Sequence, residues 1–236
     1  MNRLLHRLLY RLLPLRAYLL TVSRLYFLTL ALGCGRHTRA LEYAYHLPRL
    51  LRPGDTAIDI GANLGYYTRP MSRIVGPEGR VYAVEPVPVI CEVLRRNLRG
   101  RDNVRILNCA LGDGDRPVEM ANDSVAAAGY FGTGRNFVDD GRNARGDAIR
   151  FKAQMRRGSS LFADVDRIDF IKCDIGLRVC RSGGDDAPRA APPPHDPRRE
   201  RRRQPPEPYR AVRQRGIRTL HPRRRRPRTP PRHGRR

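Results

Sequence analysis

The feature that most constrains this chain is a five-residue apolar run, Thr56–Ile60, ending in Gly61-Ala62-Asn63-Leu64-Gly65 and leading directly into a helical pattern. The run is too short for a helix and too apolar for a strand with one wet face, so it reads as a buried parallel strand. Glycines at both ends of the five-residue turn permit a tight reversal and a close approach of ligand to backbone. A strand, a glycine turn and a helix in succession point to layered α/β architecture, because parallel strands need crossover connections to cover their faces.

The alternation continues downstream. Residues 66–75 read as a helix, Gly76-Pro77-Glu78-Gly79 as a turn, Arg80–Val84 as a second strand, 90–98 as a second helix and 104–111 as a third strand. Residues 112–165 read as short strands with glycine-rich turns, and 167–174 as a strong fourth strand. The expected class is α/β, a doubly wound Rossmann-like sheet in which the first four strands are recognisable.

The flanks differ in character. Residues 1–45 form a basic helical segment in which Leu4, Leu5, Leu8, Leu9, Leu12 and Leu13 recur at helical spacing among Arg3, Arg7 and Arg11, with Pro14 as an interruption. A second apolar run follows but holds Arg24, which argues against a membrane span. Packing of these helices on the domain is the first expectation, and contact of a basic amphipathic helix with a membrane surface the second. Residues 176–236 hold 12 of the 20 prolines and carry 20 arginines against five acids, contributing +15 of the net +24. Such a composition buries too little apolar surface to offset its ordering entropy, so the tail is expected to be disordered. Lysine is confined to Lys152 and Lys172 against 45 arginines, a bias that reflects GC-rich coding rather than a nucleic-acid partner. The five cysteines show neither paired nor metal-ligand spacing, which fits free thiols in a reducing cytosol and no metal.

The turn narrows the ligand. A dinucleotide fingerprint requires Gly-x-Gly-x-x-Gly and a phosphate loop requires Gly-Lys-Ser/Thr, and neither is present. Asp59, two residues before Gly61, would repel a pyrophosphate but would support a cationic or amino-bearing ligand. Glu85 closes the second strand 20 residues after Gly65, where an acid accepts hydrogen bonds from ribose hydroxyls. An NAD-linked enzyme is disfavoured by the glycine spacing.

Four blocks together carry a resemblance. They are the stretch from Asp55 through Asp59-Ile60-Gly61-Ala62-Asn63-Leu64-Gly65 to Thr68, then Val84-Glu85-Pro86, then Asn108-Cys109-Ala110-Leu111-Gly112-Asp113, then Asp169-Phe170-Ile171-Lys172-Cys173-Asp174-Ile175. In this order they resemble the FkbM-type methyltransferases over residues 46–175. The resemblance implies a class I methyltransferase fold, S-adenosylmethionine as methyl donor, and O-methylation of a hydroxyl on a sugar, glycan or small secondary metabolite. It implies that Asp59, Gly61, Asn63 and Gly65 hold the methionine moiety, that Glu85 takes the ribose, and that Asn108 and Ala110 line the adenine pocket. At the end of the fourth strand, Asp174 is the candidate to orient or deprotonate the acceptor, and Lys172 the candidate to polarise it.

The family pattern breaks after Ile175. Where the family has Glu-Gly-Tyr-Glu or close to it, this chain reads Gly176-Leu177-Arg178. GAG-GGC-TAC-GAG with its first two bases removed reads GGG-CTA-CGA, which encodes Gly-Leu-Arg. Residues 176–236 are therefore expected to be a frameshifted tail on a truncated domain, leaving the fourth strand as a bare sheet edge and the enzyme poorly soluble and impaired. The alternative is a catalytically dead binding protein built on the Rossmann-like half-domain with a basic tail. A cytoplasmic location, with membrane-surface contact through the N-terminal helix, completes the expectation.

Overall fold

The computed structural model describes residues 3–34, 42–139, 141, 146–173, 209–214 and 217–222. Helices α1 (Arg3–Leu12) and α2 (Leu15–Ala31) come first, then a 3-10 turn (Glu42–Tyr45) and a short α3 (Leu47–Leu50). The βα alternation follows: β1 (Thr56–Ile60), α4 (Thr68–Val75), β2 (Arg80–Val84), α5 (Pro88–Asn97) and β3 (Val104–Leu107). Helix α4 stops at Gly76, whose φ of 69° is open to glycine at no steric cost. Helix α5 starts on Pro88, whose missing N–H would have had no helical partner there.

Next come β4 (Ala110–Gly112), β5 (Arg116–Asn122), α6 (Ser124–Ala128), β6 (Asn136–Val138), β7 (Ile149–Arg157) and α7 (Gly158–Leu161). The last elements are β8 (Phe170–Cys173), β9 (Tyr209–Gln214) and β10 (Ile217–Pro222). Two sheets result. The main one runs β3-β2-β1-β8-β10-β9, parallel except for the antiparallel β10–β9 pair. The second, of order β4-β7-β5-β6, is built from the connection between β3 and β8.

Side chains alternate across the main sheet as a strand requires. Ala57, Val81, Ala83 and Phe170 face the side covered by α4 and α5, where Met71, Val75, Leu94 and Leu98 are buried. Ile58, Tyr82, Val84 and Ile171 face the other side, against Leu161 and Phe162. Both faces are covered, which is why the unbroken run at β1 can be apolar throughout except for Asp59.

Helix α2 docks on this body. Tyr18, Leu19 and Val22 are buried against Leu64, Ile90, Val93, Met120 and Phe131. The Tyr18 hydroxyl donates to the Phe131 carbonyl at 3.1 Å and stands 2.8 Å from His6 Nδ1. The N-terminal helices thus pack on the domain as first expected. Helix α1 is only half committed, since Leu9 and Tyr10 touch the core while Leu4, Leu8 and Leu12 stay exposed. Among the described residues no helix is long and apolar enough to cross a membrane.

The structure departs from the sequence reading in two places. The expected single strand over 104–111 is split, because Asn108 donates through Nδ2 to the carbonyls of Glu85 and Pro86 and leads the chain away from β2. Beyond it, β4 pairs with β7 in the second sheet. The edge expected to be bare at β8 is paired: Phe170, Ile171 and Lys172 lie opposite Arg218, Thr219 and Leu220 of β10. An open strand edge is a template for any extended segment within reach, and the two strands 209–214 and 217–222, inside a tail expected to be wholly disordered, supply a hairpin for it.

Candidate active site

Register explains why distant residues meet. Ile60 lies opposite Val84 on one side and Cys173 on the other, and Val84 lies opposite Leu107. All four strands are parallel and end on one line, so Gly61, Glu85 and Asn108 leave the sheet side by side at its carboxyl edge. Open α/β sheets bind ligands along this edge. Asp174, next in line after Cys173, lies outside the described residues.

The turn is held by backbone bonds to its neighbour strand. The N–H groups of Gly61 and Ala62 both donate to the Val84 carbonyl, at 3.0 and 2.9 Å. Gly61, Asn63 and Gly65 all have positive φ, at 73°, 53° and 89°. Asn63 tolerates the left-handed region as few residues do, and its Oδ1 accepts the Leu64 N–H at 2.8 Å. A Cβ on Gly65 would stand 3.0 Å from Leu94 Cδ1, so α5 packs against the turn because residue 65 has no side chain.

Asp59 and Lys172 face each other across β1 and β8. Lys172 Nζ is 3.0 Å from Asp59 Oδ1 as its charge partner, although without good hydrogen-bond direction toward that oxygen. The ammonium donates instead to the Gly61 carbonyl at 3.0 Å, and it sits 5.0 Å above the Tyr67 ring. Asp59 Oδ2 accepts from the Thr68 hydroxyl at 2.6 Å, and the carboxylate is fully buried. These two side chains therefore brace the turn from beneath. The sequence assigns Asp59 to a ligand's methionine moiety and Lys172 to an acceptor; in the structure the two engage each other and the turn.

Glu85 is the most perturbed group of the site. It is 4% exposed, with Oε2 accepting the Asn63 N–H at 2.9 Å and Oε1 the Val87 N–H at 3.0 Å. Burial lifts its pKa from 4.5 to about 7, against the opposing pull of those two N–H donors and of the Lys172 charge. A carboxylate offers about four lone-pair positions, so two remain for hydroxyl donors. Asn108 fixes the loop after β2, and Ala110, buried on β4, lies opposite Met155 of β7. The described residues thus bring together Gly61, Asn63, Gly65, Glu85 and Asn108 at one sheet edge, with Ala110 one strand further along.

Three contributors were not anticipated. Thr68 locks Asp59, Tyr67 covers Lys172, and Asn97 of α5 donates through Nδ2 to the Leu64 carbonyl at 2.8 Å. Thr68 carried a signal as a hydroxyl at the first helical position after the turn. The other two carried none.

Comparison with known proteins places part of the chain beside methyltransferases. Residues 59–175 match the Methyltransferase FkbM domain. A protein-L-isoaspartate O-methyltransferase of Ignicoccus hospitalis is 40% identical over 91 residues, 37% of this chain and 42% of that protein. One of Methanothrix thermoacetophila is 42% identical over 64 residues, 27% of this chain and 30% of that protein. The chain spans less than half the length of these curated relatives. Among solved structures, Aeropyrum pernix fibrillarin with natively bound S-adenosyl-L-methionine is 30% identical over 29% of this chain and 31% of its own, with a TM-score of 0.26. The match begins at Asp59, runs through Glu85 and Asn108, and ends at Ile175: over these residues the chain carries a domain that matches the FkbM methyltransferase family.

Proposed function

We propose that this domain binds S-adenosylmethionine along the carboxyl edge of β1, β2 and β3 and methylates a hydroxyl oxygen of a small-molecule or glycan acceptor. The observation that carries the reading is Glu85: a buried carboxylate, tied to the Asn63 N–H of the glycine turn, with lone pairs left for a ribose diol. When bound, the cofactor supplies an electrophilic methyl group on a sulfonium. The protein's part is positional. The 61–65 backbone, held open by three positive-φ residues, receives the methionine end, and Asn108 and Ala110 border the adenine. Asp174 is the residue assigned to orient the acceptor hydroxyl and take the proton it loses. Lys172 keeps Asp59 neutralised, so that the turn holds its shape while the site is exchanged.

The test is calorimetric titration with S-adenosylhomocysteine, followed by detection of methylated product from S-adenosylmethionine and a panel of hydroxylated acceptors. Binding that is lost in Glu85→Ala supports the reading, and absence of binding by the folded wild-type chain sinks it. The Gly176-Leu177-Arg178 departure from the family pattern favours a second reading, a domain that binds the cofactor but no longer turns over. Titration heat without product would select that reading. The exposed Leu4, Leu8 and Leu12 beside Arg3 and Arg11 support membrane-surface contact for α1. Loss of flotation with anionic vesicles on changing the three leucines to serine is its check.

A further inference from the structure

Behind the glycine turn, on the face of the sheet covered by α4 and α5, α2 leaves a cleft of about 410 Å³. Arg24 and Phe27 of α2, Arg69 of α4, Arg96 and Asn97 of α5, and Arg99 beyond its end form the walls. Among the described residues no carboxylate lines it. Among the described residues none of the four arginines is in an ion pair, whereas Arg16, Arg116, Arg135, Arg150, Arg156 and Arg167 each have one. Arg69 is half-buried with its guanidinium 4.7 Å above the Phe27 ring, a cation–π contact. Positive charge is crowded here: Arg101 on the same face is held below its ordinary pKa by burial and by Arg69 and Arg73.

Four unneutralised guanidiniums on one concave surface repel each other unless an anion joins them. Arginine forks match phosphoryl oxygens two at a time, and several forks together favour a ligand with more than one negative charge. The volume falls in the range of small-molecule sites. We propose that Arg24, Arg69, Arg96 and Arg99 form a binding site for a phosphoryl-bearing polyanion, separate from the carboxyl edge of the sheet. Its wall is continuous with the turn, since Asn97 donates to the Leu64 carbonyl, accepts from Ser23 Oγ at 3.3 Å, and neighbours Arg69, whose N–H donates to the Gly65 carbonyl. The site does not depend on the methyltransferase reading.

Inorganic pyrophosphate and phosphatidylglycerol vesicles distinguish the two sources of this chemistry, a free phosphate ester and a lipid headgroup. Binding of each to the full chain is measured at about 0.15 M salt, where distant surface charges are screened. The variants are Arg24→Gln/Arg96→Gln, at two exposed positions, and a charge-matched control, Arg49→Gln/Arg105→Gln, away from the cleft; circular dichroism checks that both fold. Saturable pyrophosphate binding, weakened about tenfold or more in the first variant and unchanged in the control, supports the site. Vesicle binding without pyrophosphate binding, lost in the same variant alone, supports it with a lipid source. Equal loss in both variants would reduce the effect to net charge and overturn the proposal, as would failure of the wild-type chain to bind either probe.

Discussion

Replacing Glu85 by Gln tests the electrostatics of the site at nearly constant volume. The wild-type carboxyl has a folded-state pKa of about 7 against 4.5 for the unfolded chain, with burial as the main cause. Between those two values the unfolded chain has released the proton and the folded chain still holds it. Stability therefore falls as pH rises through that window: the contribution is fully present below 4.5 and lost above about 7. At about 1.4 kcal/mol per unit, the gap corresponds to about 3 kcal/mol. Glutamine does not titrate, so the stability of Glu85→Gln relative to wild type should rise by about that amount between roughly pH 4.5 and pH 8. Urea denaturation followed by circular dichroism at four pH values measures it, and the difference cancels every titration the two proteins share. A flat difference, or one that moves in favour of wild type at high pH, would mean that the Asn63 and Val87 N–H groups outweigh desolvation, and would refute the reasoning.

The same group makes S-adenosylhomocysteine binding pH-dependent: hydroxyl donors favour the ionised carboxylate, so titration calorimetry should find affinity rising with pH and levelling off above about 7. Lys172→Met leaves the fully buried Asp59 without its charge partner and should cost about 3–5 kcal/mol by urea denaturation, with most of the loss recovered in Asp59→Asn/Lys172→Met. Gly65→Ala meets both a φ of 89° and the Leu94 side chain at 3.0 Å. It should lower stability by about 1–3 kcal/mol, with a matching drop in midpoint by thermal denaturation.

The turn and Glu85 were legible because their signals are local. An apolar run, two glycines and an acid at the end of the next strand are read within 30 residues, and parallel pairing places them on one edge. The partnership of Lys172 with Asp59 was not legible. It follows from the β1–β8 register that sets residue 59 beside residue 172, and no local period reports a register between strands so far apart. Lys172 at a strand end looks equally suited to an acceptor or to a brace. The break at Asn108 was hidden for a related reason, since an apolar run of eight looks continuous until its one amide finds two carbonyls on the neighbouring loop. In the tail, composition outweighed pattern: Tyr209–Gln214 and Ile217–Pro222 flank a glycine-containing two-residue connection, yet arginine and proline around them pointed to an unstructured chain.

The docking of α2 has a consequence for how the chain is made. Its anchor, Tyr18, bonds to a carbonyl 113 residues later. At a synthesis rate of roughly 5–20 residues per second, Tyr18 is polymerised roughly 6 to 23 s before that partner. During that interval Tyr18, Leu19 and Val22 have no Met120 or Phe131 to cover them. The apolar face of α2 thus stays uncovered on the nascent chain until those residues are made, and slowing translation between codons 31 and 131 should lower the yield of soluble protein.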